Sequence, residues 1–118
     1  MTKTRPTPPH TLVVGEGPAV AAVEAHPSVV ALRARFGAAI RRVDRDSVGY
    51  PVVWVDPGEV ATVLAFLRSD PGQCYDMLAD IMGAHTGVGA PIQVWYQMWS
   101  MNRGWQLRVS CEVPLENL

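Results

Sequence analysis

The chain has 118 residues, of which 48% are apolar and 18% charged, and its formal net charge is -1. This length suits one domain that buries a core without disulfides or metals, and the near-neutral charge excludes the strongly basic profile of a nucleic-acid binder. No apolar run reaches the roughly 18 residues of a membrane helix and the N-terminus lacks a signal-peptide core, so we expect a soluble, cytoplasmic protein.

The N-terminal residues 1–17 are rich in proline, and this composition predicts a flexible tail. We expect the rest, residues 18–118, to form a single domain. A helical turn can form just after the tail, but His26 precedes Pro27 and is therefore disfavoured in helical conformation.

A first helix is predicted from Ser28 to Phe36. Ser28 is a favoured N-cap residue, and Gly37 can adopt the left-handed conformation that ends many helices. Val29 and Leu32 lie on the same face as Phe36, so this face is expected to be buried.

Two strands should follow this helix. Residues 38–43 lead into the first, and the polar residues 44–49 form a turn. Residues 50–55 are rich in β-branched and aromatic side chains, which favours a second strand. Pro51 near its start predicts an exposed sheet edge, because proline donates no ladder hydrogen bond.

The second helix has the best-marked start in the chain. Asp56 can cap the free amides, Pro57 suits the first helical position, and Glu59 lies in the first turn. Apolar residues then recur at spacings of three and four, which predicts one buried stripe: Val60, Val63, Leu64 and Leu67. Beyond it we predict a largely buried strand over residues 75–82 and a flexible connection over residues 83–91.

The last third of the chain predicts a hairpin, because side chains alternate with period two on both sides of residues 101–104. One face of its first strand is apolar, with Ile92, Val94, Tyr96 and Met98; the other carries Gln93, Trp95, Gln97 and Trp99. The returning strand places Trp105, Leu107, Val109, Cys111 and Val113 on one side. Because indoles are unexpected on a solvent face, we predict that the glutamine and tryptophan face is a partner interface.

The predicted element order is α-β-β-α-β-β-β. It favours an α+β domain in which two helices cover one face of a mixed or antiparallel sheet of about five strands. The Trp95 and Trp99 face would then remain free for a partner.

No catalytic, cofactor or metal-binding set is evident. Cys74 and Cys111 belong to no paired-thiol motif and are expected to be reduced, although a disulfide remains open if the sheet makes them neighbours. One alternative function is a small-molecule or enzymatic site that uses Asp76, Asp80 and His85 at the end of a strand. A second alternative is a homodimer that buries the same tryptophan face.

Most of the chain resembles the 30 kDa (C-type) subunit of proton-translocating NADH:quinone oxidoreductase (respiratory complex I) and its relatives in membrane-bound nickel-iron hydrogenases. The resemblance is carried by FLRSDP at 66–71, YDMLADI at 75–81, VWYQMWS at 94–100 and LRVSC at 107–111, with LRARFG at 32–37 similar to the family's opening helix. The family's characteristic charged run would lie beyond Leu118.

This resemblance implies a non-catalytic structural and assembly subunit without cofactor or redox centre. It implies a partner, the large quinone-reactive or hydrogenase-like subunit of the same complex. It also implies a location peripheral to the inner membrane, with membrane association only through other subunits.

Overall fold

The computed structural model describes residues 22–85 and 87–114. The tail predicted over residues 1–17 lies outside this part of the chain. The elements are α1 (Pro27–Phe36), β1 (Ile40–Arg45), β2 (Pro51–Val55), α2 (Val60–Ser69), β3 (Met77–His85), β4 (Ile92–Ser100) and β5 (Trp105–Val113). The predicted α+β class and element order are therefore confirmed.

The five strands form one mixed sheet in the order β1-β2-β5-β4-β3. β2 and β5 are parallel, whereas the other neighbours are antiparallel. The predicted hairpin of β4 and β5 forms, with Ile92 opposite Val113 and Ser100 opposite Trp105. Gly104 in its turn has a φ of 67°, a left-handed conformation that glycine adopts without strain.

Both helices pack on the same face of the sheet, as predicted. Their buried side chains join one apolar core with side chains of β1, β2, β4 and β5: Val29, Leu32, Val43, Val53, Val63, Leu67, Met98, Leu107 and Val109. We call this side the helix face. The opposite side, named the open face, carries Gln93, Trp95, Gln97 and Trp99 of β4 and Gln106, Arg108, Ser110 and Glu112 of β5.

Helix α1 begins differently from the prediction. The cap is His26, whose Nδ1 accepts a hydrogen bond from the Ser28 amide at 3.1 Å. Ser28 is fully buried, and its Oγ donates to Gln73 Oε1 at 2.6 Å. The prediction of Ser28 as N-cap is therefore wrong, because a tertiary contact takes its hydroxyl group. Gly37 has a φ of 55° and ends α1, as predicted.

Helix α2 starts at the predicted capping sequence. The Asp56 side chain accepts from the Gly58 amide at 3.1 Å, and one 3-10 turn, Pro57–Glu59, precedes the α-helix. Val60, Val63 and Leu67 are buried. The predicted stripe thus faces the core, with Leu64 at its partly buried margin.

The edge predicted at Pro51 is wrong. β2 lies between β1 and β5, and all five of its residues are buried. Pro51 is tolerated because it is the first residue of the strand, where proline is compatible with a sheet.

The buried strand predicted over residues 75–82 is also wrong. β3 is an edge strand, and its large apolar side chains are 41–55% exposed: Met77, Leu78, Ile81 and Met82. None of the buried core residues comes from β3. Because the strand continues to His85, part of the flexible connection predicted over residues 83–91 is strand as well.

Candidate open-face interface

The tryptophans of β4 lie on the open face. Tyr96 and Met98 pack with the core on the helix face, and neighbouring side chains of a strand point to opposite sides. The alternation therefore directs Trp95 and Trp99, together with Gln93 and Gln97, away from both helices. A role of these four residues as a partner interface remains a prediction.

The open face continues across the strands beside β4. Trp95 is opposite Ser110 on β5 and Met82 on β3, and Trp99 is opposite Met77. Met77 is 45% and Met82 41% exposed. Two indoles and two thioethers consequently lie on the open face, on either side of the polar row formed by Asp80, Gln97 and Arg108, and no helix of the described residues covers them.

Arg108 organises the centre of this face. Its guanidinium carbon lies 4.8 Å from the centre of the Trp95 ring, and its Nε donates to Gln97 Oε1 at 3.3 Å. A guanidinium stacked on an indole contributes about 0.5–2 kcal/mol, with the larger values at desolvated sites. Arg108 thereby covers one side of the Trp95 ring.

Several polar atoms of the open face are buried and have no hydrogen-bond partner among the described residues: Trp95 Nε1, Trp99 Nε1, Arg108 Nη1 and Ser110 Oγ. Indole and guanidinium nitrogens can only donate hydrogen bonds. Each unsatisfied buried donor costs about 1–3 kcal/mol. Three of these four atoms can therefore be satisfied only by an acceptor.

Trp54 shows how an indole on this side of the sheet is satisfied. It is 3% exposed, and its Nε1 donates to Asp44 Oδ2 at 3.0 Å. Arg42 bonds to the same carboxylate oxygen at 3.1 Å and covers the Trp54 ring at 4.4 Å. Sequence reasoning missed this trio, because its members come together only when β1 pairs with β2. The indole nitrogens of Trp95 and Trp99, in contrast, donate to no carboxylate of the described residues.

The alternative site does not assemble. Asp76 precedes β3 and accepts from the Met101 amide at 3.1 Å, at the turn between β4 and β5. His85 ends β3 opposite Ile92. At about 3.3 Å per strand residue, His85 is about 17 Å from Asp80 and about 30 Å from Asp76 along the chain.

A cavity at the Asp76 end confirms this separation. It has a volume of about 390 Å³ and is lined by Asp76, Tyr75 and Leu78, among others, but by neither Asp80 nor His85. Asp80 instead accepts from the Ile81 amide at 2.9 Å. The three side chains cannot act on one substrate group in this geometry.

Residues 22–85 and 87–114 contain neither a metal-binding cluster nor a disulfide. No three acidic, histidine or cysteine side chains there are grouped to hold an ion. Cys74 and Cys111 are free, and burial raises the pKa of the Cys111 thiol. The helices described are too short or too polar to cross a membrane.

Comparison with known proteins identifies a family. Residues 53–118, more than half of the chain, match the family model of the respiratory-chain NADH dehydrogenase 30 kDa subunit. The C/D subunit of NADH-quinone oxidoreductase from Serratia proteamaculans (strain 568) is 34% identical over 85 residues, which cover 65% of this chain and 14% of that protein. The family match includes α2 and all strands that form the centre of the open face. The chain belongs to the respiratory-chain NADH dehydrogenase 30 kDa subunit family.

Proposed function

We propose that the chain is a non-catalytic structural and assembly subunit of a complex I-like NADH:quinone oxidoreductase or a hydrogenase-like relative. Family membership supports this role. The name of the Serratia relative joins a C-type with a D-type subunit, so we propose the large D-type subunit as the partner. The chain would be cytoplasmic and peripheral to the inner membrane, held there by other subunits.

The observation that carries this proposal is the uncovered pair of tryptophans on the open face, opposite the side on which both helices pack. Trp95 and Trp99 are only partly buried although the helix face of the same strand is in the core. Tryptophan is enriched among the residues that dominate binding energy at protein interfaces. A partner that covers the open face would bury both rings completely.

The test replaces both rings in the double variant Trp95→Ser/Trp99→Ser. Hot-spot tryptophans cost about 2 kcal/mol or more each when truncated, so we expect loss of co-purification with the D-type subunit and an affinity at least about 100-fold weaker. Val48→Ser is the matched control, because Val48 is 74% exposed in the turn between β1 and β2. Thermal unfolding of both variants verifies that the fold is retained.

Unchanged assembly of the double variant would contradict the proposal. A free-standing homodimer through the same face is the competing hypothesis, and the mass of the isolated chain distinguishes the two.

A further inference from the structure

Arg108 differs from the arginines that are paired with carboxylates. The ion pairs of the described residues are Arg33–Glu24 at 2.7 Å, Arg41–Asp56 at 3.0 Å and Arg42–Asp44 at 3.1 Å. Arg108 contacts only neutral groups, the Gln97 amide oxygen and the Trp95 ring, within this part of the chain. Two carboxylates of the described residues share this face, Asp80 and Glu112, but Asp80 accepts from the Ile81 amide and Glu112 from the Gln93 side chain. The guanidinium of Arg108 therefore stands at the centre of the open face without an ion pair among the described residues.

The unsatisfied donors surround this charge. Trp95 is directly opposite Ser110, and Arg108 is two residues from Ser110 on β5. Residues opposite each other are about 5 Å apart and alternate residues of a strand about 7 Å apart. The unpaired atoms Arg108 Nη1, Trp95 Nε1 and Ser110 Oγ thus belong to three neighbouring positions of the sheet, and Ser110 is 0% exposed.

The chemistry of these groups defines what can cover them. Arginine remains protonated and donates only, as does the indole of Trp95. Covering an unpaired guanidinium with an apolar or basic surface leaves a buried charge uncompensated, which is strongly unfavourable. A carboxylate supplies charge compensation and can accept two guanidinium hydrogen bonds at once.

We infer that the polypeptide that docks on the open face places an aspartate or glutamate side chain against Arg108. This inference rests on the proposed function and assigns the partner's chemistry: an acidic residue of the D-type subunit that lies opposite Arg108. Arg108 is partly exposed, so a rotation of its long side chain is enough to reach the carboxylate.

The test measures the affinity of the full chain for the D-type subunit with Arg108→Leu and Arg108→Lys. Truncation of one member of a buried charge pair weakens binding by about 30-fold or more, so we expect at least this loss for Arg108→Leu and a smaller loss for Arg108→Lys. Arg68→Leu is the matched control, since Arg68 is exposed on α2 and its loss changes the net charge equally. The control should bind like the unaltered chain.

Charge exchange identifies the acidic residue. Arg108→Glu should abolish binding, and one Asp→Arg or Glu→Arg substitution in the D-type subunit should restore it. Normal affinity of Arg108→Leu, beside weak binding of the double tryptophan variant, would overturn this inference and leave the proposed function intact. Failure of the unaltered chain to bind would overturn both.

Discussion

Ser28 connects helix α1 to the loop before β3 through one hydroxyl group. Its Oγ donates to Gln73 Oε1 and lies 2.6 Å from the Tyr75 hydroxyl. Burial raises the pKa of Tyr75 to about 12, so this phenol stays neutral and hydrogen-bonded at physiological pH. Because this network uses the Ser28 hydroxyl group, Ser28 does not cap the helix. The helix begins earlier, and His26 caps it by accepting from the Ser28 amide.

The capping role of His26 predicts a pH dependence of stability. Its Nδ1 must be unprotonated to accept from Ser28, and burial against the Trp105 ring, 4.9 Å away, lowers its pKa below 6.5. The unfolded chain then binds the proton first, so the free energy of unfolding should fall as pH drops below about 6.5.

The measurement is the melting temperature between pH 7.5 and 5, in steps of about 0.5. His26→Asn is the matched control, because asparagine caps helices without titrating in this range. We expect the unaltered chain to lose more stability than the control on acidification. Parallel curves would show that His26 protonation is not linked to folding.

At the scale of elements, β3 is an edge strand that pairs on one side only, and none of its residues belongs to the buried core. A nine-residue edge strand with exposed Ile81 and Met82 offers unpaired backbone groups beside apolar side chains. The shift in register between Leu78 and Asp80 and the charge of Asp80 interrupt this edge. Such features are typical of edges that must avoid pairing with other chains.

This exposure predicts that Ile81→Lys reduces aggregation without loss of stability. Ile81 is 55% exposed, so the change should alter the free energy of unfolding by less than about 1 kcal/mol. A lysine on the edge should disfavour strand addition by a second chain. Light scattering during heating measures the effect, with Val48→Lys as a control away from the edge.

A stability loss of several kcal/mol in Ile81→Lys would show that β3 is buried in solution. Equal aggregation of the two lysine variants would show that the edge is not the site of association.

At the scale of the whole molecule, the two sides of the sheet differ in how they are covered. Helices α1 and α2 cover β1, β2, β4 and β5 on the helix face, whereas no helix of the described residues covers the open face, where several donors have no hydrogen-bond partner. Two copies that meet on a two-fold axis beside Arg108 would bring two guanidinium groups without ion pairs close together. The face is therefore better matched to a different, acceptor-rich partner.

We consequently expect the isolated chain to be a monomer of 12.9 kDa at micromolar concentration. Sedimentation equilibrium at several concentrations measures this mass. A dimer mass that the Trp95→Ser/Trp99→Ser variant reduces to that of a monomer would favour the homodimer hypothesis instead.

Local sequence patterns were sufficient to predict several strand faces and helix ends of this molecule. Period-two alternation assigned the faces of β4 and β5, and glycine and aspartate chemistry located the end of α1 and the start of α2. These features depend on backbone geometry within a few residues. The family resemblance of the sequence was likewise confirmed by the match over residues 53–118.

Other features depend on which elements become neighbours, and no local pattern encodes this. Apolar β3 was predicted to be buried but lies at the edge, while Pro51, predicted at an edge, lies in an interior strand. Asp76 and His85 are separated because β3 extends the chain between them. The absence of an ion pair at Arg108 among the described residues also emerges only when the strands pair, because burial and charge compensation depend on which side chains become neighbours.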